Sequence, residues 1–248
     1  MDDDATGDRV VVVTGAAGGL GRSVAARFAA DGCALALVDA DADALATTAE
    51  VLADRAHGVV TVAADLRLRA GCAAAIGATV ERLGRVDVLV NAAGVYPRRP
   101  VLDISADDWQ FVFQVNVLGT YFMMIEAIAD MRVRSRGHIV NVASVDAFTA
   151  HPSNAHYAAT KAAVVSLTRS LALEVAPLGI LVNSVAPGPM ATETAKATDW
   201  YEPQVADLPT RRPIEPDEVA DLVAFLARSG NVSVAGENVI ISGGGLIA

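Results

Sequence analysis

The sequence predicts an α/β fold: a parallel sheet with helices on both faces. Three observations carry that prediction. Short apolar runs recur along the 248 residues. They are near-continuous rather than alternating, which marks strands buried on both faces. Stretches of helical character separate them almost throughout, the pattern of parallel crossovers. The first run also ends in a glycine-rich turn that leads straight into a helix.

Each element has its own signal. Residues 9–14 form a β-branched strand. A helix over 20–30 stops at Asp31-Gly32. The second strand, 33–39, ends in an acid, and Asp41 stands ready to cap a helix over 41–56. A strand over 58–64, a helix over 68–83 closed by Gly84, and a strand over 86–91 follow. Ser105 and Asp108 have capping-box spacing at the head of one long helix, 105–131. Then come a strand over 138–144, a helix over 153–176 stopped by Pro177 and Gly179, and a strand over 180–185. A proline- and threonine-rich stretch over 187–213 reads as irregular, before a helix over 216–229 and a seventh strand over 237–242. No linker or composition shift divides the chain. Residues 1–248 are expected to form one domain, with 1–8 flexible and 189–213 a substrate-binding loop region.

Composition narrows the function. Hydrophobic residues make up 53% of the chain and charged residues 19%, ample for a core on both sheet faces. The net charge of −10 and a pI near 4.8 argue against nucleic acid or an anionic membrane as partner. No apolar stretch reads as membrane-spanning, no signal peptide is visible, and two cysteines make no disulfide framework, so the expected location is cytoplasmic. The histidines and cysteines show no metal-ligand spacing, and no metal is expected.

Three motifs carry chemistry. The turn Thr14-Gly15-Ala16-Ala17-Gly18-Gly19-Leu20-Gly21 lets backbone approach a diphosphate at a helix N-terminus. Asp39 ends the second strand 18 residues after Gly21, placed to accept from ribose hydroxyls and to repel a 2′-phosphate. Ala40 follows it rather than a base, which favours NAD over NADP. Asp65, ending the third strand, either reaches an adenine amino group or caps the next turn. Finally, Tyr157 and Lys161 are four residues apart, one helical turn, on one face. A free phenol titrates near ~10, and a neighbouring cation favours its charged form. Such a pair can exchange a proton with an alcohol or carbonyl. Ser144, on a separate segment, can donate to the reacting oxygen.

With these residues in order, the chain resembles the short-chain dehydrogenase/reductase family, of the compact type, from about residue 9 to the C-terminus. The resemblance implies a Rossmann-like doubly wound sheet of about seven parallel strands and an oxidoreductase interconverting a secondary alcohol and a ketone. The glycine turn matches the family's dinucleotide motif, with Gly15, Gly18, Gly19 and Leu20 at the cofactor. Asp39, Asp65 and Leu66 would serve the adenosine side. Asn91-Ala92-Ala93-Gly94 matches the motif closing the fourth strand. Asn116, Ser144, Tyr157 and Lys161 match the catalytic tetrad, with the usual 13-residue gap from serine to tyrosine.

In that mapping Tyr157 is the general acid/base, and Lys161 lowers its pKa and binds ribose hydroxyls. Ser144 bonds the substrate oxygen, and Asn116 holds a water leading from Lys161. Val185 would offer backbone groups to the carboxamide, beside Pro187, Gly188 and Thr192. Asp146 departs from the usual small residue and either faces the substrate or binds its own loop. A sensor that had lost the chemistry would show an eroded tetrad, and here all four members stand. An NADPH-dependent ketoreductase is the closer alternative. Pocket candidates are Tyr96, Arg98, Asp146, His151, Asn154, Met190 and Trp200, suiting a small to medium-sized, possibly cyclic substrate. Trp200-Tyr201 forms either a lid or part of the body. The family's habit implies a homotetramer, or a homodimer, through the 105–131 and 153–176 helices. Phe111, Phe122, Val164 and Leu171 would face that contact, although core packing explains them equally.

Overall fold

The structure, a computed structural model, describes residues 9–247, so the expectation for residues 1–8 lies outside it. Seven parallel strands form one sheet in the order β3-β2-β1-β4-β5-β6-β7. They are β1 Val10–Thr14, β2 Ala34–Asp39, β3 Gly58–Ala63, β4 Val88–Asn91, β5 Gly137–Val142, β6 Ile180–Pro187 and β7 Asn238–Ile241. The unbroken apolar runs have a direct cause. In β1, Val11 and Val13 enter the core layer on one face and Val12 the layer on the other. Leu35 and Leu37 part from Ala36 and Val38 in the same way. Each fully buried aliphatic of this kind contributes roughly 1.5–3 kcal/mol. A strand covered twice has no polar positions to spare.

The helices cover both faces. α1 Gly19–Ala30, α2 Ala42–Leu52 and the late helix Pro216–Leu226 lie on one side. α3 Arg69–Leu83 packs on the other, with the helices that follow β4 and β5. The expected caps are present. Asp41 accepts from Ala44 N at 3.0 Å, Ser105 and Asp108 form the capping box, and Gly32 and Gly84 take positive φ.

Three expectations needed correction. The 105–131 helix is not regular: α4 Ala106–Phe113 passes through a π-helical turn, Gln114–Gly119, into α5 Thr120–Met131. With its 3₁₀ end it runs 29 residues, Ala106–Arg134, and by length and apolarity alone is long enough to cross a membrane, contrary to the sequence reading. Here Met123, Met124, Ala127 and Met131 are fully buried against the sheet layer. The 187–213 stretch is also more ordered than expected. It holds α7 Glu193–Lys196 and α8 Tyr201–Asp207, and Met190 bridges Ile214. Pro203 falls in the first turn of α8, where its missing N–H costs nothing. The remaining helices are α6 Ala155–Val175 and α9, the Pro216–Leu226 helix above.

The strand order reverses between β1 and β4, and the crevice outside their carboxyl ends is where such folds hold ligands.

Candidate active site

A cavity of about 630 Å³ opens at that crevice, bounded by the ends of β1, β4, β5 and β6. Its first end is backbone. Gly15 turns the chain with φ +65°, and a Cβ there would lie 2.8 Å from Ala93 Cα, so only glycine lets the turn nest against β4's exit. Thr14 Oγ1 fastens the same junction by accepting from Ala92 N and Ala93 N, both at 3.1 Å. The N-cap of α1 is Gly18, with no side chain over the helix N-terminus, so the N–H groups of the first turn face the cleft. Across it stands Thr192, whose methyl would lie 3.0 Å from a Cβ on Gly19. These features fit a dinucleotide diphosphate.

The adenosine side is mixed. Asp39 is fixed by Ala17 N at 3.0 Å and Asp41 N at 3.2 Å, tying the glycine turn to the tip of β2. Asp65 takes the second of its open alternatives: it caps the following turn through Arg67 N at 3.0 Å and holds the Arg67 guanidinium at 2.6 Å. That guanidinium lowers the Asp65 pKa. Leu66 is a core residue, packed near Gly119, rather than a cavity wall. Asn91 is buried, donating to Asn141 Oδ1 at 2.9 Å. Gly15, Gly18, Gly19, Leu20, Ala92, Gly94, Pro187, Gly188 and Thr192 all line the cavity. Val185 does not fit its expected part. β6 runs on to Pro187, and the Val185 carbonyl already accepts from Ala143 N at 2.8 Å.

At the other end, α6 presents Tyr157 and Lys161 to the cavity, with Ser144 from the exit of β5. Lys161 is buried and donates from Nζ to Val142 O at 2.7 Å. Burial pulls its pKa down to about 8, against the opposing charge of Asp146. Burial also pushes the Tyr157 phenol above its ordinary value, with a Ser144 hydrogen bond acting the other way. Lys161 is not among the groups that lower it. Desolvation dominates, and the ammonium, 5.7 Å from the phenol ring centre, spends a proton on Val142.

Asn116 is placed by the π turn, a device common at functional sites. Its amide donates to Val95 O at 2.9 Å and Thr160 Oγ1 at 3.0 Å, and Oδ1 accepts from Val95 N at 2.8 Å. The side chain thus clamps the strand β4 exit. Toward Lys161 it has only a spare lone pair, across a gap that Gly94 keeps open.

The proposed substrate residues Tyr96, Arg98, Asp146, Asn154, Met190 and Trp200 line one wall. Tyr96 meets Tyr157 edge-on at 6.2 Å. Asp146 accepts from Asn154 Nδ2 at 2.6 Å and lies 3.4 Å from His151 Nε2, so it faces the cavity and also ties its own loop. The Trp200-Tyr201 alternatives divide: Tyr201 is buried, while Trp200 lies at the cavity mouth under the Arg98 guanidinium, 4.5 Å from ring centre to Cζ. Sequence reading missed Thr14, Thr160 and the Val142 carbonyl. Only Thr14, at a strand end beside the glycine turn, carried a signal.

Comparison with known proteins agrees with this geometry. Residues 9–202 match the short chain dehydrogenase family. The chain belongs to that family. It is 37% identical over 247 residues to the oxidoreductase UcpA of Escherichia coli strain K12, covering 95% of this chain and 94% of that protein. It is 34% identical over 241 residues to (2S)-[(R)-hydroxy(phenyl)methyl]succinyl-CoA dehydrogenase subunit BbsD of Thauera aromatica, with 96% of each covered. Levodione reductase superposes with a TM-score of 0.90 at 33% identity, covering 96% of this chain and 97% of that one. NAD+-bound xylitol dehydrogenase does so with a TM-score of 0.90 at 28% identity, covering 96% and 99%. The protein is an oxidoreductase of this family, with the family's Rossmann-like sheet and nicotinamide dinucleotide chemistry.

Proposed function

We propose that the protein is an NAD-dependent dehydrogenase that interconverts a secondary alcohol and a ketone, with Tyr157 moving the proton. One observation carries the reading: Ser144, Tyr157 and Lys161 meet on the wall of a cavity whose far end is an uncapped glycine turn. The first-turn N–H groups of α1 would hold the diphosphate, with Thr192 closing over it, and Asp39 the adenosine ribose. A bound nicotinamide supplies the hydride exchange, and the protein supplies position and electrostatics.

The residues divide the remaining work. Ser144 Oγ accepts from Asp146 N at 3.1 Å and shares a hydrogen bond with the Tyr157 phenol, so the two hydroxyls would meet the substrate oxygen together. Tyr157, with its pKa raised, rests as a phenol and gives its proton to a developing alkoxide in reduction. In oxidation it takes the hydroxyl proton back, and Arg98 favours that charged form. Lys161, held on Val142 O, keeps two N–H groups for the ribose hydroxyls.

The names of the relatives support hydroxyl oxidation and ketone reduction on varied skeletons. NAD preference rests on Asp39, which would meet a 2′-phosphate with like charge. Fluorescence titration tests it: NADH should bind at least about tenfold tighter than NADPH. Asp39→Ser should narrow that gap, and tighter NADPH binding by the wild type would refute the preference. Assembly through α4 and α6 is part of the reading, supported by the half-exposed Trp109, Phe111 and Phe113 and the exposed Leu173. Of the residues named from sequence, Val164 is core and Phe111 is at the surface. Light scattering at micromolar protein should give a tetramer, and a monomer there would refute it.

A further inference from the structure

The main cavity carries one side chain whose hydrogen-bond donors the proton-transfer set leaves unused, although its charge acts on Tyr157. Arg98 is partly buried, its Cζ lies over the Trp200 ring at 4.5 Å from the centre, and it lines the cavity beside Tyr96 and Tyr157. Among the described residues its guanidinium has no hydrogen bond and no ion pair. The carboxylate in its neighbourhood, Asp146, acts on it through space, while its close contacts go to Asn154 and His151. A guanidinium offers five N–H donors in a flat fork. The cation–π contact with Trp200 uses none of those donors. A partly desolvated cation with an unused donor edge has an acceptor still to come. Burial lowering the Arg98 pKa agrees with that desolvation.

We infer that Arg98 reads a carboxylate on the substrate, so that the alcohol or ketone acted on belongs to a hydroxy or keto acid. The carboxylate would lie edge-on to the guanidinium while the carbon bearing the oxygen sits between Ser144 and Tyr157. Trp200 keeps the fork flat and oriented, which makes it a positioning residue for Arg98. The same arginine and tryptophan also line a second, more open cleft with Ser153 and Asp199, so the acid end is approachable from solvent. This inference rests on the dehydrogenase reading above and narrows its substrate.

Two measurements test it. In the first, NADH-dependent turnover of acetoacetate, phenylpyruvate and benzoylformate is compared with that of their methyl esters. At least one acid should beat its ester by about 100-fold in kcat/KM, and Arg98→Gln should collapse that ratio, mainly through the KM of the acid. Arg98→Lys, which keeps the charge but not the fork, should restore only part of it. An unchanged ratio in Arg98→Gln, or esters reduced as well as acids by the wild type, overturns the inference and leaves the dehydrogenase reading standing. The second needs no turnover. Trp200 is one of two tryptophans, so a Trp109→Phe background isolates its emission. Benzoate should change that emission saturably and benzamide should not, with the response lost in Arg98→Gln. If no acid or ester is turned over, the dehydrogenase reading is in question, and the emission titration alone decides. Equal responses to benzoate and benzamide, or none, overturn the carboxylate site.

Discussion

The two ends of the cavity are built differently. The glycine end is backbone, held by strand register: Thr14 ends β1, Ala92 and Ala93 follow the end of its neighbour β4, and they meet within hydrogen-bond reach. The substrate end is side chain, carried on three loops: Arg98 after β4, Asp146 after β5 and Trp200 before α8. A backbone cradle leaves little to vary, because its atoms are those of every residue. A wall of side chains can be rebuilt one residue at a time without disturbing the sheet. On the proposed reading the first end holds the cofactor, and the second selects the substrate.

If that division is right, changes at the two ends should separate in measurement. Gly15→Ala has the largest expected effect. It forces φ +65° on a residue with a Cβ and drives that Cβ against Ala93. It should cost about 2–4 kcal/mol in urea unfolding and weaken NADH binding by about 100-fold or more. Binding and stability near wild type would break the comparison at its firmer end.

Lys161 lies between the ends, and its expected signature is a pH dependence. Unfolded, it holds its proton up to about 10.4; folded, only to about 8. Between those values the unfolded chain binds more protons, so the contribution of Lys161 to stability is lowest below about 8 and rises with pH to about 10.4. Wild type should therefore gain on Lys161→Met by roughly 3 kcal/mol at most across that window. A difference that stayed flat from neutral pH to pH ~10 would mean that the ammonium is not desolvated.

The smallest effect belongs to Asn154→Ala. It releases Asp146 at the substrate end alone, so substrate KM should rise several-fold, about 1 kcal/mol, with NADH affinity within about twofold. A change confined to NADH would reverse the division.

The same contrast explains what could be read in the sequence. The strands and the glycine turn were legible because double burial leaves unbroken apolar runs and a tight turn demands glycine. The Tyr157–Lys161 pair stood out by its spacing, whereas Asn116 entered only through the family resemblance. The π turn was not, since one widened turn around Asn116 leaves the composition of a helix unchanged. The ordering of 193–207 was hidden by prolines and threonines that read as loop. The raised Tyr157 pKa follows from burial, which sequence spacing does not report. Arg98 and Trp200 are 102 positions apart, and no periodicity links them.

The central claim is that Tyr157 carries the proton beside an independently built dinucleotide cradle. Tyr157→Phe removes one oxygen and leaves the glycine turn, Asp39 and Thr192 untouched. On any substrate the wild type turns over, kcat should fall about 1,000-fold or more, with NADH affinity within about threefold of wild type. Retention of most of the turnover, or loss of turnover and NADH binding together, would contradict it.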